Sequence, residues 1–440
     1  MSNLNLIPIG KLFDLEKGSL QSSKCTEGEY TFITAAEEWK THNEYSHECE
    51  ALIFAAAASG SLGRTHYIND KFITSDLCFI LTPKDSKKYP INLKFYHFVF
   101  NSLKDEIVKN TKSGTSKESI NQSNLRNYEI PYFEIDKQNL WIDKLVNTKS
   151  IKEDLELELS SGQSLLKQLK QTILQEAIEG KLTEKWRVKN PDIGTAKELL
   201  EQIKTEKEKL VKDKKIKLAK PLAPINEDET PFDIPQNWEW CRLGDISFVG
   251  TGATPLTSEP KYYNGDINWI TSSATGADFV TEAETKITEL ALKETNCQIY
   301  PIGTLVIAMY GQGKTRGQIT ELMIDSATNQ ACAAISIYLK DKALNQFIKK
   351  YFQKIYLEIR ELASGGAQPN LNMQKVKDTM IALPPLEEQK EIVATIEKLF
   401  TLCNELESEI NQNKTTVDNL MATVLKEAFE TKENIHEYKA

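Results

Sequence analysis

The chain has 440 residues, 40% hydrophobic and 27% charged, which is typical of a folded protein with two or three domains. No apolar run approaches the length of a membrane span, and the N-terminus lacks the basic and apolar regions of a signal peptide. The seven cysteines are scattered without a Cys-x-x-Cys pair. We therefore expect reduced thiols in a cytoplasmic protein, without disulfides, a metal site or membrane contact.

The net charge of −9 is unevenly distributed. From Leu386 to the end there are twelve acidic and six basic side chains, so this stretch carries −6 of the −9. An acidic helical segment repels phosphate and suits a protein partner. Any contact with DNA must therefore come from local basic loops elsewhere in the chain.

Residues 1–140 are predicted to form an α/β domain. Short strands are expected at Tyr30–Thr34 and Leu77–Leu81. Ala51–Ala58 fits either a buried strand or an apolar helical turn, and the two remain alternatives at this point. Leu93–Val108 has the spacing of a helix and is rich in aromatic side chains, which indicates core packing.

The end of the chain predicts one long helix over Leu386–Phe429, which starts after two prolines. Apolar residues recur there at alternating spacings of four and three, a pattern typical of a coiled-coil seam. Asn413 interrupts the seam. Its apolar members are Ile392, Ile396, Leu399, Cys403, Leu406, Ile410, Val417, Leu420 and Val424.

A partner for this seam lies 251 residues earlier, as Ile173–Lys181 echoes Val424–Lys432. The equivalent seam has weak positions at Thr148 and Lys152, and Gly162 takes the place of Asn413. Its apolar members are Leu145, Leu155, Leu159, Leu166, Leu169 and Ile173.

The segments in front of the two helices repeat as well. The matching pairs are Gly28–Thr34 with Gly265–Thr271, Ala51–Ala55 with Thr304–Ala308, and Ile120–Ile130 with Leu371–Ile381. The predicted order is a first domain over 1–140, a first helix over 141–182, a linker over 183–237, a second domain over 238–383, a second helix over 384–430 and a polar tail over 431–440. The fold class is mixed α/β, with two repeated globular domains separated by two long antiparallel coiled-coil helices.

The linker contains a lysine-rich stretch, Thr195–Lys220, that is predicted to be a charged helix. A solvated spacer and a phosphate-facing patch are both consistent with it. The prolines from Pro221 to Pro235 then predict an extended segment.

Glycine-containing loops supply the candidate contacts with nucleic acid. Ser59–Arg64 and Gly311–Arg316 follow strand-like runs at matching positions, and Gly250–Ser258 opens the second domain. Small residues let backbone N–H groups approach an anion, while hydroxyl, amide and tyrosine side chains reach phosphates or base edges. A structural turn explains the same residues equally well. The candidate DNA-binding residues are Ser22, Ser23, Lys24, Ser61, Arg64, Lys112, Thr115 and Lys117 in the first half, and Thr254, Thr257, Tyr262, Tyr263, Gln312, Lys314, Arg316, Gln368 and Asn370 in the second.

Several motifs resemble the DNA-specificity subunit of type I restriction–modification systems, over essentially the whole chain. They are the Gly250–Ser258 loop, Tyr262–Thr271, the Gly-Gly-Ala-Gln-Pro-Asn-Leu-Asn run at 365–372, Leu383–Gln389 and Leu169–Leu182. The first half departs from the pattern, because Gly18–Ser22 lacks the Thr-Pro pair and Ile130-Pro131-Tyr132 replaces Leu-Pro-Pro.

The resemblance implies a non-catalytic subunit whose two target-recognition domains each read one half of a split, asymmetric site on double-stranded DNA. It implies that the helices set the spacer and bind two methyltransferase subunits, that motor-nuclease subunits join the complex, and that AdoMet, ATP and Mg²⁺ belong to those partners. The residues expected on the subunit-interface helices are Leu155, Leu159, Leu166, Leu169, Ile173, Ile396, Leu399, Leu406, Ile410, Val417, Leu420 and Val424.

Catalytic motifs are weak by comparison. Gly311–Thr315 mimics the end of a phosphate loop, but Ala308 occupies the required earlier glycine position. Asp192 and Asp213–Lys215 mimic a nuclease motif, but Asp213 lies on the charged linker. The main alternative is a coiled-coil adaptor that bridges proteins without touching DNA, followed by an enzyme with an unrecognised site.

Overall fold

The computed structural model describes residues 5–58, 60–114, 118–217, 222–311, 315–364 and 371–430. The chain divides into two compact units, one formed by residues 1–162 with 409–440 and the other by residues 163–408. The boundary falls inside two long helices, Ile135–Ile178 and Leu386–Asp418. Each unit therefore combines a globular domain with segments of both helices.

The first unit contains the following elements in chain order. They are β1 Leu6–Pro8, α1 Ile9–Leu12, β2 Phe13–Lys17, β3 Tyr30–Ile33, β4 Lys40–His42, β5 His47–Ala55, β6 Thr65–Thr74, β7 Cys78–Pro83, α2 Leu93–Ser102, α3 Lys104–Thr111, β8 Lys112–Ser113, β9 Ser119–Ile120, α4 Gln122–Asn127, β10 Glu129–Pro131 and the first part of α5 Ile135–Ile178.

The main sheet of this unit has the order β2-β7-β5-β6-β3-β4, and β3 runs parallel to β6. One face packs on α2, where Phe13 and Phe54 meet Phe100 edge to face. The other face curves around a smaller core in which Ile33 of β3 packs with Cys78 of β7. Aromatic side chains thus fill the space between sheet and helices, as the spacing of Leu93–Val108 predicts.

The second unit continues with these elements. They are α6 Glu184–Lys189, α7 Ala196–Lys212, β11 Glu239–Arg242, α8 Leu243–Ile246, β12 Ser247–Thr251, β13 Tyr263–Ile270, β14 Phe279–Val280, β15 Thr285–Ile287, α9 Glu289–Glu294, β16 Ile299–Tyr300, β17 Leu305–Ala308, β18 Ile319–Leu322, β19 Ser326–Thr328, β20 Cys332–Ile337, α10 Lys342–Ser364, α11 Met373–Asp378, β21 Met380–Leu383 and α12 Leu386–Asp418. The last helix, α13 Leu420–Glu430, belongs to the first unit.

Besides the β11–β21 pair, the described strands of the second unit form two sheets, with orders β12-β20-β17-β18-β14 and β15-β13-β19-β16. Cores centred on Val306 and on Trp269 lie against these sheets. β17 is buried at all its positions, which explains its uninterrupted apolar sequence.

The predicted repeat is present in the structure. In each unit the opening strand pairs antiparallel with the strand that precedes a long helix, β1 with β10 and β11 with β21. Asn121 and Asn372 both cap short helices, accepting from the backbone N–H groups of Asn124 at 2.7 Å and Lys375 at 2.9 Å. These two asparagines stand 251 residues apart, the same spacing as the repeated helix sequence.

The long helices pair antiparallel within each unit. In the first, the ammonium of Lys144 lies 3.2 Å from the carboxylate of Glu427, and a Cβ added to Gly162 would lie 3.5 Å from Ile410. In the second, Lys170 lies 2.7 Å from Glu407. Further along that unit the Thr183 hydroxyl donates to Glu388. Residue numbers in the second helix therefore fall as those in the first helix rise, which is the pattern of an antiparallel pair.

Burial along the seam is uneven. Leu145, Leu166, Ile173, Ile392, Ile396, Cys403 and Val417 are buried, while Leu155, Leu159, Leu399, Ile410, Leu420 and Val424 are partly buried. Leu169 and Leu406 were expected in the seam, but they are 45% and 48% exposed. Lys170 donates hydrogen bonds to Asn404 and Glu407 next to these leucines. Polar contacts therefore replace apolar packing between the helices in this part of the seam.

Several boundaries differ from the sequence predictions. Ala51–Ala55 is the end of strand β5 rather than a helical turn, and Ala56–Ala58 lies beyond the strand. Leu93–Val108 is split at Leu103, and the final helix is split at Asn419. The first long helix already begins at Ile135 and ends before Gly180, which adopts a φ of 72° that favours glycine.

The lysine-rich linker helix α7 is neither a free spacer nor wholly solvated. Ala196, Leu199 and Ile203 form a buried stripe on it, and Thr195 with Glu198 makes a capping box at its start. Four of its lysines, Lys197, Lys204, Lys209 and Lys212, are exposed, while Lys207 is partly buried and its ammonium lies 5.2 Å from the centroid of the Tyr338 ring. None of the helices in the described ranges combines the length and apolar character that a membrane crossing needs.

The first turn of α12 is fixed by a buried carboxylate. Glu388 is fully buried and accepts hydrogen bonds from the Thr183 hydroxyl at 2.7 Å, the Arg187 guanidinium at 2.9 Å and the Trp238 indole at 2.9 Å. Thr183 and Arg187 follow α5, and Trp238 begins the second domain. One side chain therefore joins both long helices to that domain.

A buried glutamine makes an equivalent link in both units. The amide of Gln138 donates to the carbonyl of Phe133 at 2.6 Å, and that of Gln389 donates to the carbonyl of Pro384 at 2.8 Å. Each bond reaches back five residues to the segment before the helix. Because a buried amide without partners is costly, these bonds hold the angle at which each helix leaves its domain.

We predict that Glu388→Ala lowers the free energy of unfolding of the second unit by about 3–5 kcal/mol, because it leaves the Arg187 charge without its buried partner. Urea denaturation followed by tryptophan fluorescence measures the change. Glu387→Ala is the matched control, since this neighbouring carboxylate is exposed and pairs with Lys390 at the surface, so its removal should cost at most about 1 kcal/mol. Equal, small losses in both variants would contradict the role given to Glu388.

Candidate nucleic-acid interface

Several loops at strand ends of the first unit are linked to one another by backbone hydrogen bonds. The N–H of Gly18 donates to the carbonyl of Cys78 at 3.0 Å, and that of Ser75 to Ile33 at 2.9 Å. The N–H of Ala56 donates to Leu77 at 2.9 Å, and Ile120 donates to Ala56 at 2.7 Å. We call the described residues within 18–25, 34–39, 56–64, 75–77 and 112–119 the first rim.

The first rim contains the candidate residues of the first half that the structure describes. Ser22–Lys24 forms an exposed 3₁₀ turn. One guanidinium nitrogen of Arg64 lies 3.4 Å from both the Ala35 carbonyl and the Ser61 hydroxyl. Lys112 is exposed and pairs with Glu118 at 2.6 Å. Thr115 and Lys117 lie outside the described residues.

Trp39 also lies on the first rim and was not among the sequence candidates. Its indole is 40% exposed, and its N–H donates to Nδ1 of His66 at 3.3 Å. Burial lowers the pKa of His66, and the nearby Arg64 charge acts in the same direction. The imidazole is therefore neutral at pH 7 and able to accept this bond. Nothing in the sequence around Trp39 signals the contact, because it forms between distant strands.

Loops of the second unit form an equivalent rim. The N–H of Met309 donates to the carbonyl of Ala331 at 2.8 Å, and that of Asn329 donates to Ile270 at 3.1 Å. We call the described residues within 250–258, 271–277, 309–318 and 328–331 the second rim. Its loops follow β12, β13, β17 and β19 at their C-terminal ends.

The Gly250–Ser258 loop is held through the carbonyls of alternate residues. Tyr300 donates to Thr251 at 2.9 Å, and Tyr263 donates to Pro255 at 2.6 Å. Between them, the Trp269 indole and the Cys297 thiol both donate to Ala253 at 3.1 Å. Side-chain donors from inside the domain thus fix an extended backbone before any ligand binds.

Gly252 is required by a close approach within this rim. A Cβ at this position would lie 1.6 Å from the carbonyl oxygen of Thr328. The loop is therefore pressed against the turn that contains Gln330, whose side chain accepts a hydrogen bond from the Thr254 hydroxyl at 2.7 Å. Thr254 and Thr257 are both exposed.

Apolar groups are exposed on the second rim too. Leu256 is 66% exposed, and Tyr310 is 46% exposed. Sequence reasoning did not select Gln330, Leu256 or Tyr310. Their position next to the predicted loops becomes visible only once the strands are paired.

The hydroxyls of Tyr262 and Tyr263, two of the predicted DNA contacts, are hydrogen-bonded inside the domain. Tyr262 is buried, and its hydroxyl donates to Glu294 at 2.8 Å. This hydrogen bond raises the pKa of the Tyr262 phenol, and the bonds from Tyr262 and Lys261 lower the pKa of the Glu294 carboxyl. The Tyr263 hydroxyl supports the loop through the Pro255 carbonyl, while the Tyr262 hydroxyl is bonded to the end of α9. Contact of these two residues with DNA stays a prediction.

Arg316 is partly buried at the edge of the second rim. The candidates Gln312, Lys314, Gln368 and Asn370 lie outside the described residues. Within the described ranges, no group of three or more histidine, cysteine, aspartate or glutamate side chains is placed to hold a metal ion. The two rims expose hydroxyl, amide, basic and apolar groups, which suit a surface that contacts DNA, and the first rim also exposes the carboxylates of Glu37, Glu38 and Glu118.

The duplicated α/β domains with exposed loop rims match a known family model. The model for the type I restriction modification DNA specificity domain matches residues 1–160 and 235–413. These segments cover both globular domains and most of the helical sequence. The chain therefore belongs to the type I restriction–modification specificity subunits and contains two target-recognition domains.

Named relatives agree with this assignment. The chain is 28% identical over 259 residues to the EcoEI specificity subunit of Escherichia coli, covering 56% of this chain and 42% of that subunit. It is 22% identical over 434 residues to the Escherichia coli EcoDI specificity subunit, covering 96% of this chain and 87% of the relative. The chain thus spans less than half the length of the EcoEI relative.

Solved structures share the fold. A chain from a structural study of the assembly and conformational transition of the type I R-M system superposes with a TM-score of 0.68 at 14% identity, covering 98% of both chains. The HsdS subunit from Thermoanaerobacter tengcongensis superposes with a TM-score of 0.54 at 14% identity, covering 98% of this chain and 97% of that one. The sequence-based assignments of family and fold are confirmed.

We predict that Gly252→Ala displaces the Gly250–Ser258 loop and lowers the stability of the second domain by about 1–3 kcal/mol, because the added methyl group meets a backbone carbonyl. Thermal unfolding and protease cleavage within the loop measure the effect. Gly276→Ala is the control on the same rim, since the nearest atom to its added Cβ is a side-chain oxygen 3.9 Å away. Wild-type stability and protease resistance in both variants would contradict the prediction, because the loop would then accommodate the added methyl group at no cost.

Proposed function

We propose that this chain is the non-catalytic DNA-reading subunit of a type I restriction–modification complex, and that each domain reads one half of a bipartite, asymmetric site on double-stranded DNA. The observation that carries the proposal is the duplication itself. Each unit has its own rim of exposed loops, and the loop sequences of the two rims differ. Two different readers in one chain suit two different half-sites.

The chemistry of the rims supports DNA as the ligand. Exposed hydroxyl groups at Ser22, Ser23 and Thr257 suit phosphate contacts, and the amide of Gln330 suits a base edge. The fixed backbone of the Gly250–Ser258 loop reduces the entropy lost on binding. Arg64, Lys112 and Arg316 provide local positive charge within an otherwise acidic chain.

The long helices have a surface suited to protein partners. Leu140, Leu157 and Leu165 on α5 are 60%, 72% and 62% exposed. Leu402 and Leu406 on α12 are 49% and 48% exposed, in a segment rich in carboxylates. These side chains offer apolar area that another protein could cover. We assign this surface to methyltransferase subunits, two per chain, with motor-nuclease subunits joining the same complex.

In this proposal the cofactors belong to the partners. AdoMet would bind the methyltransferase subunits, and ATP and Mg²⁺ would bind the motor-nuclease subunits. The role of this chain is to choose the site and to set the spacing between its halves. The helix α5 has 44 residues, a length of about 66 Å at a rise of about 1.5 Å per residue. Two reading domains on one duplex favour half-sites about 10 base pairs apart, centre to centre.

We predict that shortening the helix pair changes the spacer and leaves the bases of each half-site unaltered. Deleting Leu399–Glu405 removes seven residues of α12, and deleting Leu169–Gln175 removes the facing seven residues of α5. The pair becomes about 10 Å shorter and keeps its seam phase. The expected result is a spacer about three base pairs shorter, since duplex DNA rises about 3.4 Å per base pair, or loss of binding.

Mapping of methylated sites in cells that express each protein measures this outcome. Exchange of residues 1–140 for the equivalent domain of a relative is the complementary experiment. It should change the bases of one half-site and preserve the spacer. A helix deletion that alters the chosen bases but not the spacer would overturn the assignment of the helices as a ruler.

A second prediction concerns catalysis. The purified chain should show no nuclease, ATPase or methyltransferase activity, and it should capture a methyltransferase subunit from its native lysate. Activity that co-purifies with the chain, and that a point mutation in this chain abolishes, would contradict the non-catalytic role. Capture of other proteins alone, with no DNA binding by the assembled complex, would favour an adaptor.

A further inference from the structure

The first rim has an exposed aromatic side chain whose polar atom is already occupied. The only hydrogen-bonding group of the Trp39 indole is its N–H, and this group donates to His66. The two rings meet edge to face, with centroids 5.6 Å apart and an interplanar angle of 82°. The exposed 40% of the side chain therefore presents carbon atoms to solvent.

Arg64 contacts the loop that contains Trp39. Its guanidinium lies 3.4 Å from the Ala35 carbonyl and 3.8 Å from the Glu37 carboxylate. Arg64, a sequence candidate for DNA binding, thus uses part of its hydrogen-bonding capacity on this loop. Together with His66 it holds the indole in one orientation.

The charge next to Trp39 argues against a contact with phosphate. Glu37 and Glu38 precede it directly, and both are exposed. Two carboxylates repel the DNA backbone, but a carboxylate can accept a hydrogen bond from a base amino group in the major groove. A loop with this composition fits the groove floor better than the groove edge.

We infer that Trp39 contacts the C5-methyl group of a thymine in the half-site that the first domain reads. The thymine methyl is the apolar feature of the major groove, so it matches an indole with no free donor. This inference rests on the proposed function. It makes Trp39 a specificity-determining residue, positioned by His66 and Arg64.

The test replaces thymine by uracil, which removes the methyl group and leaves the base pair intact. Once the site is mapped, each thymine in both half-sites is replaced in turn. The full chain in complex with its methyltransferase subunit is then titrated with each duplex by fluorescence anisotropy. Wild-type protein should bind about fourfold more weakly for one uracil position, the effect expected for one methyl group. All other positions should have little effect.

Trp39→Ala should bind the thymine and uracil duplexes equally at that position, and Trp39→Phe should retain a preference for thymine. Tyr45→Ala is the matched control. Tyr45 is 41% exposed in the same domain, but β4 separates it from Trp39 and it packs on Tyr30 and Lys71. This variant should keep the wild-type response. Thermal unfolding checks that the variants are folded.

Two results would overturn the inference while the proposed function stands. One is a wild-type complex with site preference but no uracil-sensitive position. The other is a Trp39→Ala complex that is as sensitive to the same uracil as the wild type, or weakened equally on all DNA. A wild-type complex without any site preference would overturn the proposed function and this inference together, before uracil is introduced.

Discussion

Each long helix is joined to its globular domain by interactions buried at its first turn, and the rest of the architecture depends on this junction. In the second unit the fully buried Glu388 accepts hydrogen bonds from Thr183, Arg187 and Trp238. A buried carboxylate is strongly destabilising unless hydrogen-bond donors and an opposite charge compensate for its lost hydration. Displacement of any of the three donors is therefore costly. The angle between helix and domain is fixed for the same reason.

In the first unit a neutral side-chain amide, that of Gln138, joins the long helix to its domain. Gln138 lies in the first turn of α5 and bonds to the carbonyls of Pro90 and Phe133, while its oxygen accepts from the N–H of Asn92. Its counterpart Gln389 repeats the bond to the preceding segment. The proposed spacing role of the helices requires such a rigid exit angle, because a flexible joint would not transmit helix length to the position of a domain.

Rigidity extends to the rims, but different groups provide it. In the second rim, tyrosine, tryptophan and cysteine side chains donate to the Gly250–Ser258 backbone, and Gly252 allows it to approach Thr328. In the first rim, Arg64 and His66 hold the loop of Trp39. Tyr262 and Tyr263, two of the predicted DNA contacts, have hydroxyls that are hydrogen-bonded inside the domain.

The duplication, the long helices, the family and a few strands such as β3 could be predicted from the sequence, because apolar periodicity and repeated motifs are local features of a chain. The recurrence of apolar residues from Ile392 onwards and the repeated segments Ile120–Ile130 and Leu371–Ile381 are examples. Only the tertiary structure decided that Leu169 and Leu406 are exposed, that α7 packs through Ala196 and Leu199, and that Trp39 meets His66. These exposures and contacts depend on which distant residue lies opposite a side chain. The pairing of strands and helices determines that neighbour, and the spacing of residues along the chain does not.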